Sequence, residues 1–333
     1  MAVASVPDGN GTIHACVNVT TTSGGATVPN QSGANPTIID PVAGGLAAGE
    51  RVWDVCLVGT RLRDLFMGGL GQLRYEPIEK RIRGMLAGHT VVDSNRAALV
   101  WEPKRVVPSY CIPVEDIAAD LGTSDDQSSE AGAGLTVPRL GDRPVYDPSI
   151  PFFVHTASGE SLDIRAHGVE RGAAAFRLLD DALSGRILLD FEAFDAWYEE
   201  DEPNLGHPRD PFHRIEIVHS SRHLRVECDG ELVADSADPY LLFESMLPVR
   251  YYVRPEDVIA GVLRPSSTTS LCAYKGQASY WSMDGDEDIA WSYAAPLREA
   301  AEVRDRVAFF NERVDLVVDG ERHERPITPW SPR

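Results

Sequence analysis

The stretch Arg222-His223-Leu224-Arg225-Val226-Glu227-Cys228-Asp229-Gly230-Glu231-Leu232-Val233-Ala234-Asp235 decides the fold. Its side chains alternate outward and inward up to Cys228, Asp229-Gly230 supplies a two-residue turn that tolerates positive φ, and Glu231 to Asp235 returns. That is a β-hairpin. The same pattern stands earlier in the chain, at Arg81 to Leu86, Ala87-Gly88 and Thr90 to Asp93. The match continues in one order: Asp93-Ser94 with Asp235-Ser236, Trp101-Glu102 with Phe243-Glu244, Ser109-Tyr110 with Tyr251-Tyr252, Glu115-Asp116 with Glu256-Asp257. A sequence written twice in this way is expected to be a tandem duplication of one domain.

Working outward, strands are expected at Tyr240–Glu244, Val249–Val253, Ala278–Met283, Ile289–Tyr293 and Val314–Val318, the last closed by Asp319-Gly320. The first copy is completed by strands at Ile150–His155, Ser161–Arg165, Ala174–Leu179 and Arg186–Phe191, with a short helix from Phe191 to Glu199. Val303, Val307 and Phe310 have the spacing of one helical face within Pro296–Asn311. Residues 121–148 read as a polar inserted loop and Asp201–Asp210 as the link between domains. Residues 1–66 begin with a Gly-, Thr- and Ser-rich stretch too poor in large apolar groups to offset its ordering entropy, followed by a candidate helix at Val52–Leu65. Met67 offers an alternative start. The expected organisation is an extension (1–66), a first domain (67–200), a link (201–210), a second domain (211–325) and a tail (326–333).

The net charge of −20, from 51 acids against 31 bases, repels polyanions and argues against nucleic acid. Cys16, Cys56, Cys111, Cys228 and Cys272 are odd in number and widely spaced without a Cys-x-x-Cys pair, which argues against a disulfide framework or zinc site and fits a reducing cytoplasm. No apolar run has the length of a membrane span, and the start lacks a secretory signal. No metal and no cofactor are expected, and the oligomeric state stays open.

Only the second copy runs on into a dense aromatic and cationic stretch, with Tyr240, Phe243, Tyr251, Tyr252, Tyr274, Lys275, Gly276, Tyr280, Trp281, Trp291 and Tyr293 beside Arg250 and Glu244. Aromatic faces with a cation and a carboxylate suit a small ligand, and the expected binding set is Arg250, Tyr252, Tyr274, Lys275, Gly276, Tyr280, Trp281, Trp291 and Tyr293. Strand alternation puts Arg250 and Tyr252 on one face and sets Tyr280 against Trp281. Lys275 as base or Schiff-base nucleophile, with Glu244 as its acid–base partner, are the candidate catalytic groups. His207, His213, His219 and His223 match no common metal spacing. In the first copy, the stretch from His155 to Glu160 stands where the aromatic motif would be and reads as a turn. Cys272 reads as a small buried hydrophobe, and Asp284–Asp288 as a solvated turn.

His207 to Arg214, Ser220 to His223, Arg250 to Tyr252, Tyr274-Lys275-Gly276, Tyr280-Trp281 and Ala290 to Tyr293 resemble the signature of the bacterial and fungal family catalogued as domain of unknown function 427. The resemblance covers about residues 72–322 and is stronger in the second copy. It implies a mainly β fold of two tandem β-tent domains, each of two antiparallel sheets meeting at an angle with few short helices, similar to the ligand-binding domain of cereblon and to methionine sulfoxide reductase B. Without paired Cys-x-x-Cys motifs, a metal-free tent is implied. The family's nucleotidyltransferase-like label finds neither a Gly-x-x-x-x-Gly-Lys phosphate loop nor a Gly-Ser pair followed by an Asp-x-Asp metal site in this sequence. Three functional classes stay open. The leading one is binding of an anionic or carbonyl-bearing small molecule; the others are an enzyme of transferase, nucleotidyltransferase-like or hydrolase type using Lys275 and Glu244, and a protein-interaction module.

Overall fold

The repeated hairpins form where the alternation places them. In Leu224–Cys228 the side chains of Leu224, Val226 and Cys228 are buried while Arg225 and Glu227 are less so, and Asp229 and Gly230 turn the chain with φ of 50° and 84°. Ile82–Leu86 shows the same burial rhythm, and Ala87 and Gly88 turn with φ of 52° and 77°. Gly84 is required in that strand because a Cβ there would lie 2.9 Å from Cζ3 of Trp197, a fully buried indole.

The computed structural model describes residues 61–125 and 135–332. The chain divides into Met1–Met67 and Gly68–Arg333, and the sheets belong to the second unit. The short helix α1 is Leu62–Gly68; the remainder of the helix expected at Val52–Leu65, like most of the extension, lies outside the described residues. The first half contains β1 (Arg74–Pro77), β2 (Ile82–Leu86), β3 (His89–Ser94), β4 (Ala98–Trp101), β5 (Ser109–Pro113), β6 (Asp120–Thr123), β7 (Arg139–Leu140), β8 (Arg143–Pro144), β9 (Gly159–Ala166), β10 (Val169–Leu178), β11 (Arg186–Leu189), β12 (Ala196–Glu199) and β13 (Glu202–Asn204). The second half contains β14 (Ile215–His219), β15 (Leu224–Cys228), β16 (Glu231–Ser236), β17 (Tyr240–Glu244), β18 (Arg250–Val253), β19 (Arg264–Cys272), β20 (Gly276–Met283), β21 (Asp286–Ser292), β22 (Val307–Phe309), β23 (Asp315–Val318) and β24 (Glu321–Arg322).

The fold is mainly β and antiparallel, as expected. Each half has a seven-stranded sheet, ordered β1-β4-β5-β11-β10-β9-β6 in the first and β14-β17-β18-β22-β21-β20-β19 in the second. Each also has a four-stranded sheet, β13-β12-β2-β3 and β24-β23-β15-β16; the strand order is the same in both halves. A core fills each half, with Ile82, Leu99, Tyr110 and Trp197 in one and Leu224, Val226, Tyr251, Phe309 and Leu316 in the other.

The matched sequence pairs have a physical meaning. Ser94 Oγ donates to Asp116 Oδ2 at 2.7 Å, and Ser236 Oγ donates to Asp257 Oδ2 at 2.7 Å. The Asp-Ser step and the Glu-Asp step are therefore the two ends of one hydrogen bond, tying the hairpin to the turn after β5 in one half and after β18 in the other. The acid of each Asp-Ser step also has a cross-strand partner, Arg81 for Asp93 and His223 for Asp235.

Four expectations are corrected. Ile150–His155 is not a strand: the carbonyls of Ile150, Pro151, Phe152 and Val154 all accept from the Arg105 guanidinium instead of a neighbouring strand. Phe191–Glu199 is not helical but runs into β12, where Trp197 is drawn into the core and donates to the Phe191 carbonyl. Val303, Val307 and Phe310 do not share a helix. Arg298–Val303 is a pair of 3-10 turns, Val307 faces the inner core from β22, and Phe310 faces the opposite side. Glu202–Asn204 belongs to the first half's small sheet, so the link between halves starts at Leu205.

Replacing Ser236 by Ala removes a hydrogen bond to an ionised, partly buried carboxylate. The expected loss is about 1.5 to 3 kcal/mol in chemical denaturation, with a similar loss for Ser94→Ala.

Candidate functional site

Alternation along β17, β18, β21 and β22 splits the aromatic stretch between two faces. Tyr251, Ile289 and Phe309 join the inner core, with Trp281 packed against it; Tyr252, Trp291, Tyr293 and Phe310 form a second cluster on the other face, with Tyr280 against them. Arg250 sits over Trp291, Phe310 and Trp330 at 5.4–5.9 Å. Trp281 is thus separated from the rest of the expected set, its indole donating to Ser292 Oγ at 3.1 Å. On the outer face the Trp291 indole donates to Tyr252 Oη at 3.0 Å, and burial pushes the Tyr252 phenol up to about 12. The Tyr280 and Ser270 hydroxyls are 2.9 Å apart.

The two cations expected to receive an anionic ligand are already neutralised. Arg250 makes a bidentate pair with Glu312, both contacts at 2.7 Å, and both side chains are almost fully buried. Lys275 Nζ donates to Glu244 Oε2 at 2.6 Å. Gly276 follows it with φ of +94°, and since a Cβ there would meet the Ala295 carbonyl and Leu297 at no less than 3.4 Å, it is the left-handed backbone rather than crowding that favours glycine.

A third group completes the array. His213 Nε2 lies 3.0 Å from Glu244 Oε1, so one buried carboxylate is shared by an ammonium and an imidazole. Burial by itself raises the Glu244 carboxyl, but Lys275 and His213 outweigh it and hold the group down to about 2. Burial by itself lowers the Lys275 ammonium, and Glu244 outweighs that and drives it well above the ordinary lysine range. Lys275 is therefore a fixed cation, not the free amine that a Schiff base needs.

His213 stacks on the Tyr274 ring, centroids 4.4 Å apart at 26°, and His207 meets the same ring edge-on at 5.9 Å. Tyr274 Oη accepts from the Asp210 backbone N–H at 2.7 Å, and Arg209 lies over its ring at 5.2 Å. Burial pushes the Tyr274 phenol up and lowers the His207 imidazole. His219 and His223 pair elsewhere, with Asp238 and Asp235, so of the four clustered histidines two reach Tyr274.

His213 and Tyr274 line a cleft of about 620 Å³ whose other walls include Lys80 and Glu199–Glu202 from the first half, Arg209 and Asp210 from the link, and Arg298 and Glu299 from the second half. Its three cations each have a carboxylate partner: Lys80 with Glu199, Arg209 with Glu299, Arg298 with Glu202. Its carboxylates number six, so the cleft as a whole is acidic.

The first half has a counterpart, contrary to the reading of His155 as a plain turn residue. Glu102, which follows β4 as Glu244 ends β17, is buried and accepts from the Thr156 and Ala157 amides at 2.9 and 3.0 Å, with His155 Nδ1 at 3.0 Å. His155 stacks on Phe176 at 3.5 Å, and its Nε2 is buried without a hydrogen-bond partner.

Residues 216–320 match the family described as Domain of unknown function (DUF427), also labelled NTP_transf_9. The match takes in β15 to β23, and with them Glu244, Lys275, Arg250 and the outer aromatic cluster of the DUF427 segment. His213, Arg209 and Asp210 stand just before its first residue. No curated protein matches the chain. His213 was within reach of sequence reading, since the stretch from His207 to Arg214 is part of the resembling signature; what hid it was its distance along the chain from Glu244. Glu312, the partner of Arg250, carries no motif at all.

The depressed Glu244 carboxyl contributes stability that is complete above the ordinary value of 4.5 and is lost as pH falls from there toward 2. The raised Lys275 ammonium contributes stability that is lost at the alkaline end, above its ordinary 10.5. Glu244→Gln is expected to lower stability at neutral pH by about 3 kcal/mol or more, because a buried ammonium loses its counter-ion, and to flatten the acid limb of a stability-versus-pH curve measured by urea unfolding.

Proposed function

We propose that the chain is a small-molecule-binding protein whose ligand seats in the cleft against Tyr274 and His213. One observation carries the reading: the buried Lys275–Glu244–His213 array meets solvent-accessible space through an imidazole that lines a 620 Å³ cleft. A buried array of this kind is costly unless every charge is met, and here it fixes one polar group at a cavity wall beside an aromatic face. The ligand is a polar molecule with a carbonyl, hydroxyl or amine that hydrogen-bonds to the imidazole. The anionic ligand expected from Arg250 and Lys275 is less well served, because both cations have buried partners and the cleft itself has an excess of carboxylates. A neutral or cationic ligand fits better. The same charge balance disfavours nucleotide phosphates, the substrate that the family's NTP_transf_9 label suggests.

The two halves are read as tandem copies, since their sheets share one strand order, with the second copy carrying the site and the first supplying a wall of the cleft. No helix among the described residues is long and apolar enough to cross a membrane. Cys111, Cys228 and Cys272 are free thiols, which supports placing the protein in a reducing cytoplasm.

Screening neutral and cationic metabolites by ligand-observed NMR, followed by calorimetry, tests the reading. For a ligand found in this way, His213→Ala is expected to weaken binding about tenfold, the loss of one well-placed hydrogen bond and its stacked ring, and His155→Gln in the first half to leave it within about twofold. Equal affinities for wild type and His213→Ala would remove the cleft from consideration.

A further inference from the structure

The cleft reading leaves open what His213 does to a bound molecule. Among the described residues that line the cleft it is the one imidazole, and two side chains hold its ring while a third fixes its backbone. Tyr274 stacks on it, Glu244 takes its Nε2, and Asp210 fixes the turn that delivers it, accepting from the Phe212 amide at 2.7 Å. Because Glu244 is ionised, Nε2 carries the hydrogen and donates. Nδ1 then keeps its lone pair.

We propose that His213 is the proton-transfer group of the cleft, accepting a proton on Nδ1 from an O–H or N–H of a neutral or cationic polar substrate, with Glu244 as its positioning residue. The proposal rests on the cleft being the ligand site. In the forward step the substrate proton moves to Nδ1 and the electron pair of the broken bond stays on the substrate oxygen or nitrogen. The imidazolium that results faces the Glu244 carboxylate. In the return step Nδ1 gives the proton to whichever substrate atom has become basic, and the ring is neutral again. No oxidant or second reactant is needed.

The surrounding charges are consistent with that cycle. Glu244 is hydrogen-bonded to the ring, Asp210 lies in the turn that carries it, Lys275 is neutralised by Glu244, burial disfavours a charge on His207, and Arg209 is paired with Glu299. The first half provides a contrast within one chain. There the imidazole, His155, meets its carboxylate through Nδ1 and leaves Nε2 buried with no hydrogen-bond partner, so the same two group types have no exposed proton acceptor.

The test uses full-length protein labelled with ¹⁵N-histidine and no ligand. Two-bond ¹H–¹⁵N correlations, with His213→Gln to assign the ring, should show the Nε2–H tautomer between about pH 7 and 8, and Glu244→Gln should collapse that preference into a mixture. An Nδ1–H tautomer, a ring still doubly protonated at about pH 8, or a preference unchanged in Glu244→Gln overturns the proposal. As a chemical readout, 4-nitrophenyl acetate hydrolysis should follow the NMR titration of His213. It should fall about tenfold or more in His213→Gln, and should shift its pH midpoint in Glu244→Gln, a change that a merely structural role would not produce. Equal hydrolysis by wild type and His213→Gln overturns it. Both measurements are made without the physiological ligand, so their failure leaves the calorimetric test of cleft binding standing.

Discussion

A carboxylate buried where a strand of the large sheet ends is the constraint around which each half is arranged. An ionised group removed from water costs several kcal/mol unless its lone pairs are met, so Glu102 and Glu244 each draw partners from distant parts of the chain. For Glu244 these are Lys275 and His213, each 31 residues away. For Glu102 they are His155 and the two amides that follow it, with the buried Arg105 guanidinium 3.7 Å away. The loop before β9 and the loop before β20 are therefore both pinned to a strand end, and in the second half the link that enters from the first is pinned there as well.

The two solutions differ in what they leave over. Around Glu102 the requirement is met by two backbone amides, one stacked imidazole and the buried Arg105 guanidinium at 3.7 Å, a closed arrangement with Phe176 on one face of the ring and Phe152 at its edge. Around Glu244 the Lys275 ammonium sits directly on one carboxylate oxygen at 2.6 Å and the His213 imidazole on the other at 3.0 Å. That imidazole arrives on the segment joining the halves and ends at a cleft. The same acid can thus close one half and equip the other.

The fold was largely legible because it depends on local rules. Alternation gave the hairpins, Asp-Gly and Ala-Gly gave the turns, and the repeated Asp-Ser and Glu-Asp steps marked one hydrogen bond made twice. Strand parity also separated Tyr252 from Tyr251 and Tyr280 from Trp281. The errors arose where tertiary partners override local pattern: Arg105 gathers carbonyls that would otherwise read as a strand, and Trp197 pulls a helix-like stretch into a sheet. The site was legible in its residue types and not in its pairings. Lys275 and Glu244 stand out in the sequence, but parity cannot say that Arg250 is neutralised by Glu312, 62 residues on.

That neutralisation shifts the functional argument from the aromatic face to the cleft. Arg250 lies among Trp291, Phe310 and Trp330, and Thr328 from the C-terminal segment donates to its partner Glu312, so the outer face is occupied by the chain's own groups. A ligand arriving there would have to break a buried bidentate pair, which leaves an uncompensated charge and costs about 3 to 5 kcal/mol before any new contact is made. The cleft asks for nothing comparable. Arg298 and Glu202 are exposed and lightly paired, and such pairs are worth about 1 kcal/mol or less, so a ligand can replace either partner at small cost while keeping Tyr274 and His213 at its back. On the binding function proposed above, recognition is cheapest where the chain has left its charges near water and its aromatic and imidazole groups fixed, and among the described residues those two conditions meet at the mouth of the Glu244 array.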